Sequence, residues 1–196
     1  MLVAVYELFW RPLTCGAVSG TSLSTQASVL LQGLPNAGVI LDAGCGTGLF
    51  ARRIAEESPR RRVLGIDRSW SAIERARRVH VDGVTYVRAN VHALPFSDAV
   101  ADCVICAGSL HLFTDPAAAL LEFSRVARPG ARLRLLTYAR YGRGLTVAGF
   151  RLFAIHELED LLDHSGWEIV GAQRFGLMWI GEARSRSRSA ARTLSS

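Results

Sequence analysis

From Val39 onward, short continuous apolar runs alternate with amphipathic stretches, and this alternation constrains the fold more than any other feature. Val39-Ile40-Leu41-Asp42-Ala43, Val63-Leu64-Gly65-Ile66, Val84-Thr85-Tyr86-Val87, Val100 to Ala107 and Leu133 to Thr137 read as five buried strands. Between them, Leu49 to Glu57, Ser69 to Val79 and Pro116 to Ala127 carry helical spacing. Ser69 suits an N-cap and Pro116 a first helical turn, and Arg128-Pro129-Gly130 reads as a stop. Strands apolar on both faces and separated by helices predict a parallel sheet covered on both sides. Right-handed crossovers then leave few topologies. Past Tyr138 the pattern changes. Tyr141 to Gly149 reads as a loop and His156 to Asp163 as a helix. Glu168 to Phe175 and Leu177 to Ala183 form a hairpin around Gly176.

Composition narrows the function. The 196 residues are 49% hydrophobic and 20% charged, which suits one globular domain with one core. No apolar run reaches the roughly 18 residues of a membrane span. Met1 to Trp10 carries Glu7 and no basic start, unlike a signal peptide, so a cytoplasmic protein is expected. The net charge is +6, all of its basic residues being arginine. Four of these lie in the last 13 residues; without them 19 basic residues face 17 acidic ones. A nucleic-acid reader carries its basic patch on the folded body, so no nucleic-acid partner is expected.

Three segments follow. Residues 1–37 form an N-terminal cap, 38–183 the main domain and 184–196 a disordered Arg/Ser tail. Cys103 and Cys106 form a C-x-x-C, but inside a strand they point to opposite faces, and no second pair completes a tetrahedral site. Two buried thiols, and no metal, are expected.

The chemistry starts at Asp42-Ala43-Gly44-Cys45-Gly46-Thr47-Gly48, which leaves the first strand and opens the first helix. Such glycines let the backbone turn and let a ligand approach without Cβ clashes. A dinucleotide fingerprint needs G-x-G-x-x-G, whereas here Leu49 stands at the third glycine's place, which disfavours a nicotinamide oxidoreductase. A Walker loop is excluded because the chain has no lysine. Asp67 ends the second strand, 19 residues after Gly48. Its carboxylate suits two ribose hydroxyls, or serves as a charge ahead of the next helix.

These stretches together resemble class I S-adenosylmethionine-dependent methyltransferases, small-molecule type, the group of ubiquinone, menaquinone and natural-product enzymes. The resemblance spans residues 38 to 183. It rests on Leu41 to Gly48, on Gly65-Ile66-Asp67 with Ser69, and on Ala89-Asn90-Val91-His92-Ala93-Leu94-Pro95-Phe96. Leu110-His111-Leu112-Phe113-Thr114-Asp115-Pro116 and Arg125-Val126-Ala127-Arg128-Pro129-Gly130 complete it. It implies a Rossmann-like α/β fold with a seven-stranded sheet of order 3-2-1-4-5-7-6, mostly parallel, ending in an antiparallel hairpin, with helices on both faces.

The resemblance also implies an S-adenosyl-L-methionine site built from Asp42, Gly44, Cys45, Gly46 and Gly48, from Asp67 and Arg68, from Asn90 and Val91, and from Cys106. The Gly44 and Cys106 carbonyls would lie near the methionine amino group. Asn90 stands where the family has Asp and offers an uncharged carbonyl, while the Val91 N–H donates whatever its side chain. Arg68 stands where an apolar residue is common. The expected activity is methyl transfer to a small, hydrophobic acceptor. That acceptor would sit among Tyr6, Phe9 and Trp10, Ser109 to Phe113, and Tyr138 to Phe153. His111 is the candidate base, with packing as its alternative role; His92 reads as a surface residue and His156 as structural. The alternative function is a protein that binds S-adenosylmethionine without methylating.

Overall fold

The computed structural model describes residues 22–147 and 150–186. The main sheet runs β3-β2-β1-β4-β5-β9-β8. Its strands are β1 (Gly38–Ala43), β2 (Arg61–Asp67), β3 (Val84–Arg88), β4 (Ala101–Ala107), β5 (Ala127–Arg140), β8 (Trp167–Phe175) and β9 (Met178–Ser185). β1 to β5 pair in parallel, while β9 is antiparallel to both β5 and β8. This is the expected strand order and the expected hairpin.

The strand count is nine rather than seven. β6 (Leu145–Val147) and β7 (Phe150–Ala154) pair antiparallel, and β7 adds to the end of β5 through Ala139 and Arg140. The stretch Tyr141 to Gly149 is therefore not all loop. β5 also starts six residues earlier than its apolar run. Ala127 pairs with Ala101, but the next registered pair is Arg132 with Cys103. The extra residues bulge out, leaving Arg128, Pro129 and Gly130 exposed.

The helices are α1 (Leu23–Leu31), α2 (Leu49–Glu56), α3 (Trp70–Arg77), α4 (Pro116–Val126) and α5 (Ile155–His164). Ser69 caps α3 by accepting from Ala72 N, and Asp115 caps α4 by accepting from Ala118 N. The sheet separates two apolar layers. Ile40, Val63, Cys103 and Ile105 pack with α1, α2 and α3 through Leu30, Ile54 and Ile73. Leu41, Val104, Cys106 and Leu133 pack with α4 and α5 through Leu120, Phe123 and Leu158.

Cys103 and Cys106 thus face opposite layers, as strand alternation requires. Burial pushes both thiols up to about 12, so both stay protonated at neutral pH. Among the described residues no group of three or more His, Cys, Asp and Glu side chains is placed to hold a metal.

Part of the expected cap and tail lies outside the described residues, including Tyr6, Phe9 and Trp10. α1 lies inside the expected cap and buries Ala27, Leu30 and Leu31 against the sheet. At the other end β9 includes Arg184 and Ser185, and Arg186 N donates to Gly166 O. Arg184 and Ser185, the first residues of the expected tail, therefore belong to the sheet, on a strand paired on both sides.

Candidate functional site

The parallel strands β1, β2, β3 and β4 end side by side, and their following loops enclose a cavity of ≈ 260 Å³. That volume is close to the roughly 300 Å³ lower bound of small-molecule sites. Gly44, Asp67, Arg68, Asn90 and Val91 line it, together with Ser69, His92, Ser109, Leu112 and Phe113.

The glycine loop is shaped by its neighbours. Gly44, Gly46 and Gly48 have φ of 74°, 55° and 80°, in the left-handed region. A Cβ on Gly44 would lie 2.4 Å from Ser109 Oγ, and one on Gly48 would lie 2.2 Å from Tyr86 Oη. At these two positions the space is taken by the protein's own side chains, not held open for a ligand. Ser109 Oγ donates to Ala43 O at 3.0 Å and lies 3.1 Å from Cys106 Sγ, tying the loop after β4 to the end of β1. Tyr86 reaches the loop by crossing Gly65, its register partner on β2, where a Cβ would strike the ring at 2.7 Å. Its hydroxyl donates to Gly48 O at 3.4 Å, and Arg52 Nη1 donates to Thr47 O at 2.7 Å. Burial raises the Tyr86 pKa, opposed by Arg52.

Asp67 organises the same loop. Its Oδ2 accepts from Gly46 N at 2.9 Å and its Oδ1 from Ser69 N at 2.8 Å. A carboxylate has about four acceptor positions, so lone pairs remain for two further donors. Arg68 is exposed at the rim and forms no ion pair with Asp67; its carbonyl accepts from Arg88 Nε at 3.2 Å. Across the cavity, His92 N donates to Asn90 Oδ1 and Ala93 N to Asn90 O, both at 3.1 Å. Leu94 N donates to Glu122 Oε2 at 2.7 Å. The Val91 N–H has no acceptor among the described residues, on a loop whose next three amides are all bonded. Asp67 keeps spare acceptor positions, Val91 keeps an unused amide, and both residues line one cavity, which fits a nucleoside's ribose and base edge.

The expected site residues therefore divide. Gly44, Asp67, Arg68, Asn90 and Val91 line the cavity. Asp42, Cys45 and Cys106 are buried behind it, and Gly46 and Gly48 shape the loop without lining it. His111 is 1% exposed on a short 3-10 turn, Leu110–Leu112. It does not line the cavity and stands edge-on to Tyr138, centroids 4.8 Å apart. His92 lines the cavity and stands edge-on to Phe113. A larger groove of ≈ 450 Å³ lies between α1 and the β8–β9 hairpin. Its Arg134 is committed to Leu30 O, Val29 O and Glu182, anchoring α1 to the sheet.

Sequence reasoning missed Tyr86, Glu122 and Arg125. The i, i+3 spacing of Glu122 and Arg125 on a helix announces their pairing. Their reach to the loop at Leu94 has no local signal.

The sequence family described as "Methyltransferase domain" matches residues 41–135, which span β1 to the middle of β5. The chain is 33% identical over 156 residues to the ubiquinone/menaquinone biosynthesis C-methyltransferase UbiE of Syntrophotalea carbinolica. That match covers 78% of this chain and 65% of the relative, so the chain spans just under two thirds of the relative's length. Among solved structures, the 1,6-didemethyltoxoflavin-N1-methyltransferase of Burkholderia thailandensis, with bound 1,6-didemethyltoxoflavin and S-adenosylhomocysteine, superposes with a TM-score of 0.74 at 24% identity. It covers 95% of this chain and 86% of its own. The [4+2]-cyclase SpnF superposes with a TM-score of 0.76 at 19% identity, covering 94% of this chain and 96% of its own. The chain is thus similar in sequence to a methyltransferase domain over residues 41–135 and shares the fold of these solved structures.

Proposed function

We propose that this chain binds S-adenosylmethionine in the cavity beside Asp67 and transfers its methyl group to a small, largely apolar molecule. The observation that carries the reading is the pairing of Asp67 with the unused Val91 N–H across one cavity. When bound, S-adenosylmethionine supplies a methyl group already activated on a sulfonium. The protein's share is placement, which alone contributes up to roughly 7–11 kcal/mol when geometry is near attack. Asp67 receives the ribose hydroxyls on its remaining lone pairs. Val91 N–H and the Asn90 side chain meet the adenine edge. Gly44, held by Ser109, would border the methionine portion. Arg68 borders the base from the rim. Leu112 and Phe113 add apolar wall, which suits an apolar acceptor. We place the chain in the cytoplasm. The three described cysteines are buried and form no disulfide, which is consistent with that.

Calorimetry tests the first half: S-adenosylhomocysteine should bind and NAD should not, and the reverse result removes the reading. Appearance of S-adenosylhomocysteine with a panel of apolar acceptors tests the second half. One rival is the same cofactor held without methyl transfer; the fold itself also serves a [4+2]-cyclase. Tight binding with no turnover across the panel would support that rival.

His111 is expected to act by packing on Tyr138 rather than as a base. Replacing it with Phe, which keeps a ring there, should leave kcat within about twofold across pH, whereas a lost base costs roughly 10²–10⁴-fold. A loss of that size would restore it as the base.

A further inference from the structure

We propose that Arg125, working with Glu122, is a positioning residue that sets cofactor affinity by orienting the Asn90–Val91 loop from outside the cavity. The inference rests on the proposed S-adenosylmethionine site. Neither residue lines the cavity.

Glu122 and Arg125 sit one turn apart on α4. Arg125 Nε donates to Glu122 Oε1 at 2.6 Å and Nη2 to Glu122 Oε2 at 2.8 Å, a bidentate pair. The same guanidinium donates to Phe96 O at 2.8 Å, to Leu94 O at 3.1 Å and to Asp98 Oδ1 at 2.8 Å. Glu122 Oε2 in turn accepts from Leu94 N. Both backbone groups of Leu94 are thus held by one ion pair. Leu94 itself is buried.

Upstream, residues 90 to 93 form a closed turn. His92 N and Ala93 N both bond back to Asn90. Such a turn moves as a unit, so its direction depends on where Leu94 is fixed. Fixing Leu94 therefore fixes Val91, which lines the cavity.

An ordinary surface ion pair contributes about 0–1 kcal/mol, because two solvated side chains are ordered for one contact. This pair differs, since Arg125 and Glu122 also bond three main-chain groups at Leu94 and Phe96. Only a planar fork serves these partners together; a lysine ammonium on the same helix has no such reach or geometry. Glu122 is held below the usual carboxylate range, chiefly by its bond to Arg125. It therefore stays an acceptor at neutral pH.

The test uses the full chain with Arg125→Lys and Glu122→Gln, titrated with S-adenosylhomocysteine and with 5′-methylthioadenosine. Arg125→Lys should weaken both ligands by about tenfold, the equivalent of about one lost hydrogen bond to the bound state. Glu122→Gln should weaken both severalfold, and it keeps the question answerable if Arg125→Lys fails to fold. Equal losses for the two ligands locate the defect at the adenosine end. Amide exchange should speed at Val91 to Leu94 while the amides of β1 and β2 keep wild-type protection. Affinity within twofold of wild type in both variants would overturn the proposal. So would faster exchange spread evenly through β1 and β2, which marks general destabilisation. Asp67→Ala separates the two levels of inference. If wild type binds and Asp67→Ala does not, but both clamp variants bind normally, the site stands and the positioning role falls. If wild type fails to bind S-adenosylhomocysteine, the site reading falls first.

Discussion

Replacing Gly48 with alanine is expected to destabilise the protein by about 2–5 kcal/mol and to abolish measurable binding of S-adenosylhomocysteine. Two independent penalties meet at this residue. Its φ of 80° places any L side chain in the left-handed region, costing roughly 1–2 kcal/mol. The added Cβ would also lie 2.2 Å from Tyr86 Oη and 2.6 Å from Tyr86 Cζ. Tyr86 cannot retreat cheaply, because it is buried across Gly65 with its own ring 2.7 Å from where a Cβ would stand there. Overpacking of that kind costs roughly 1–3 kcal/mol. If the loop yields instead, Gly46 N moves away from Asp67 and the cavity loses its shape. A double-mutant cycle with Tyr86→Ala separates the two penalties. In that background Gly48→Ala should cost only the backbone part, about 1–2 kcal/mol by denaturant unfolding. An equal cost in both backgrounds would mean that Tyr86 does not limit the loop.

This result also bears on why the glycines are there. On sequence, alternate glycines admit a ligand to the backbone. In the structure Gly44 and Gly48 instead admit Ser109 and Tyr86, side chains from the loop after β4 and from β3. The motif was readable because the turn and its spacing are local. Its reason was not, because Tyr86 is 38 residues away and resembles any strand residue. The parallel strands were legible for the same local cause: continuous burial leaves a continuous apolar run. β6 and β7 were not legible, since three and five residues carry too little period to stand out among glycines and arginines. The start of β5 was hidden by Arg128-Pro129-Gly130, a true turn signal that the sheet accommodates as a bulge. His111 illustrates the limit for site residues. Its place after β4 was clear, but whether the ring enters the cavity or packs on Tyr138 depends on tertiary contacts.

Trp167→Ala is expected to be the most damaging core truncation, at about 3–5 kcal/mol, lowering Tm by roughly 6–20 °C for a chain of this size. Trp167 is 0% exposed, the largest fully buried side chain among the described residues. It follows Gly166, whose φ of 82° turns the chain out of α5 into β8. Its indole Nε1 donates to Leu120 O at 3.0 Å, so the terminal hairpin is bonded to the middle of α4. That helix carries Glu122 and Arg125 on its next turn and, through them, Leu94. The hairpin at the sheet edge and the loop at the cavity are therefore linked through one helix. Trp167→Phe keeps most of the apolar contact while removing the hydrogen bond and leaving a small void. It should cost about 1–2 kcal/mol and leave S-adenosylhomocysteine affinity unchanged, because α4 stays in place. Trp167→Ala opens a cavity under α4, and the folded fraction should bind more weakly as well as melt earlier. Wild-type affinity in folded Trp167→Ala would show that α4 holds its position without the hairpin, and that the loop's support ends at the Glu122–Arg125 pair.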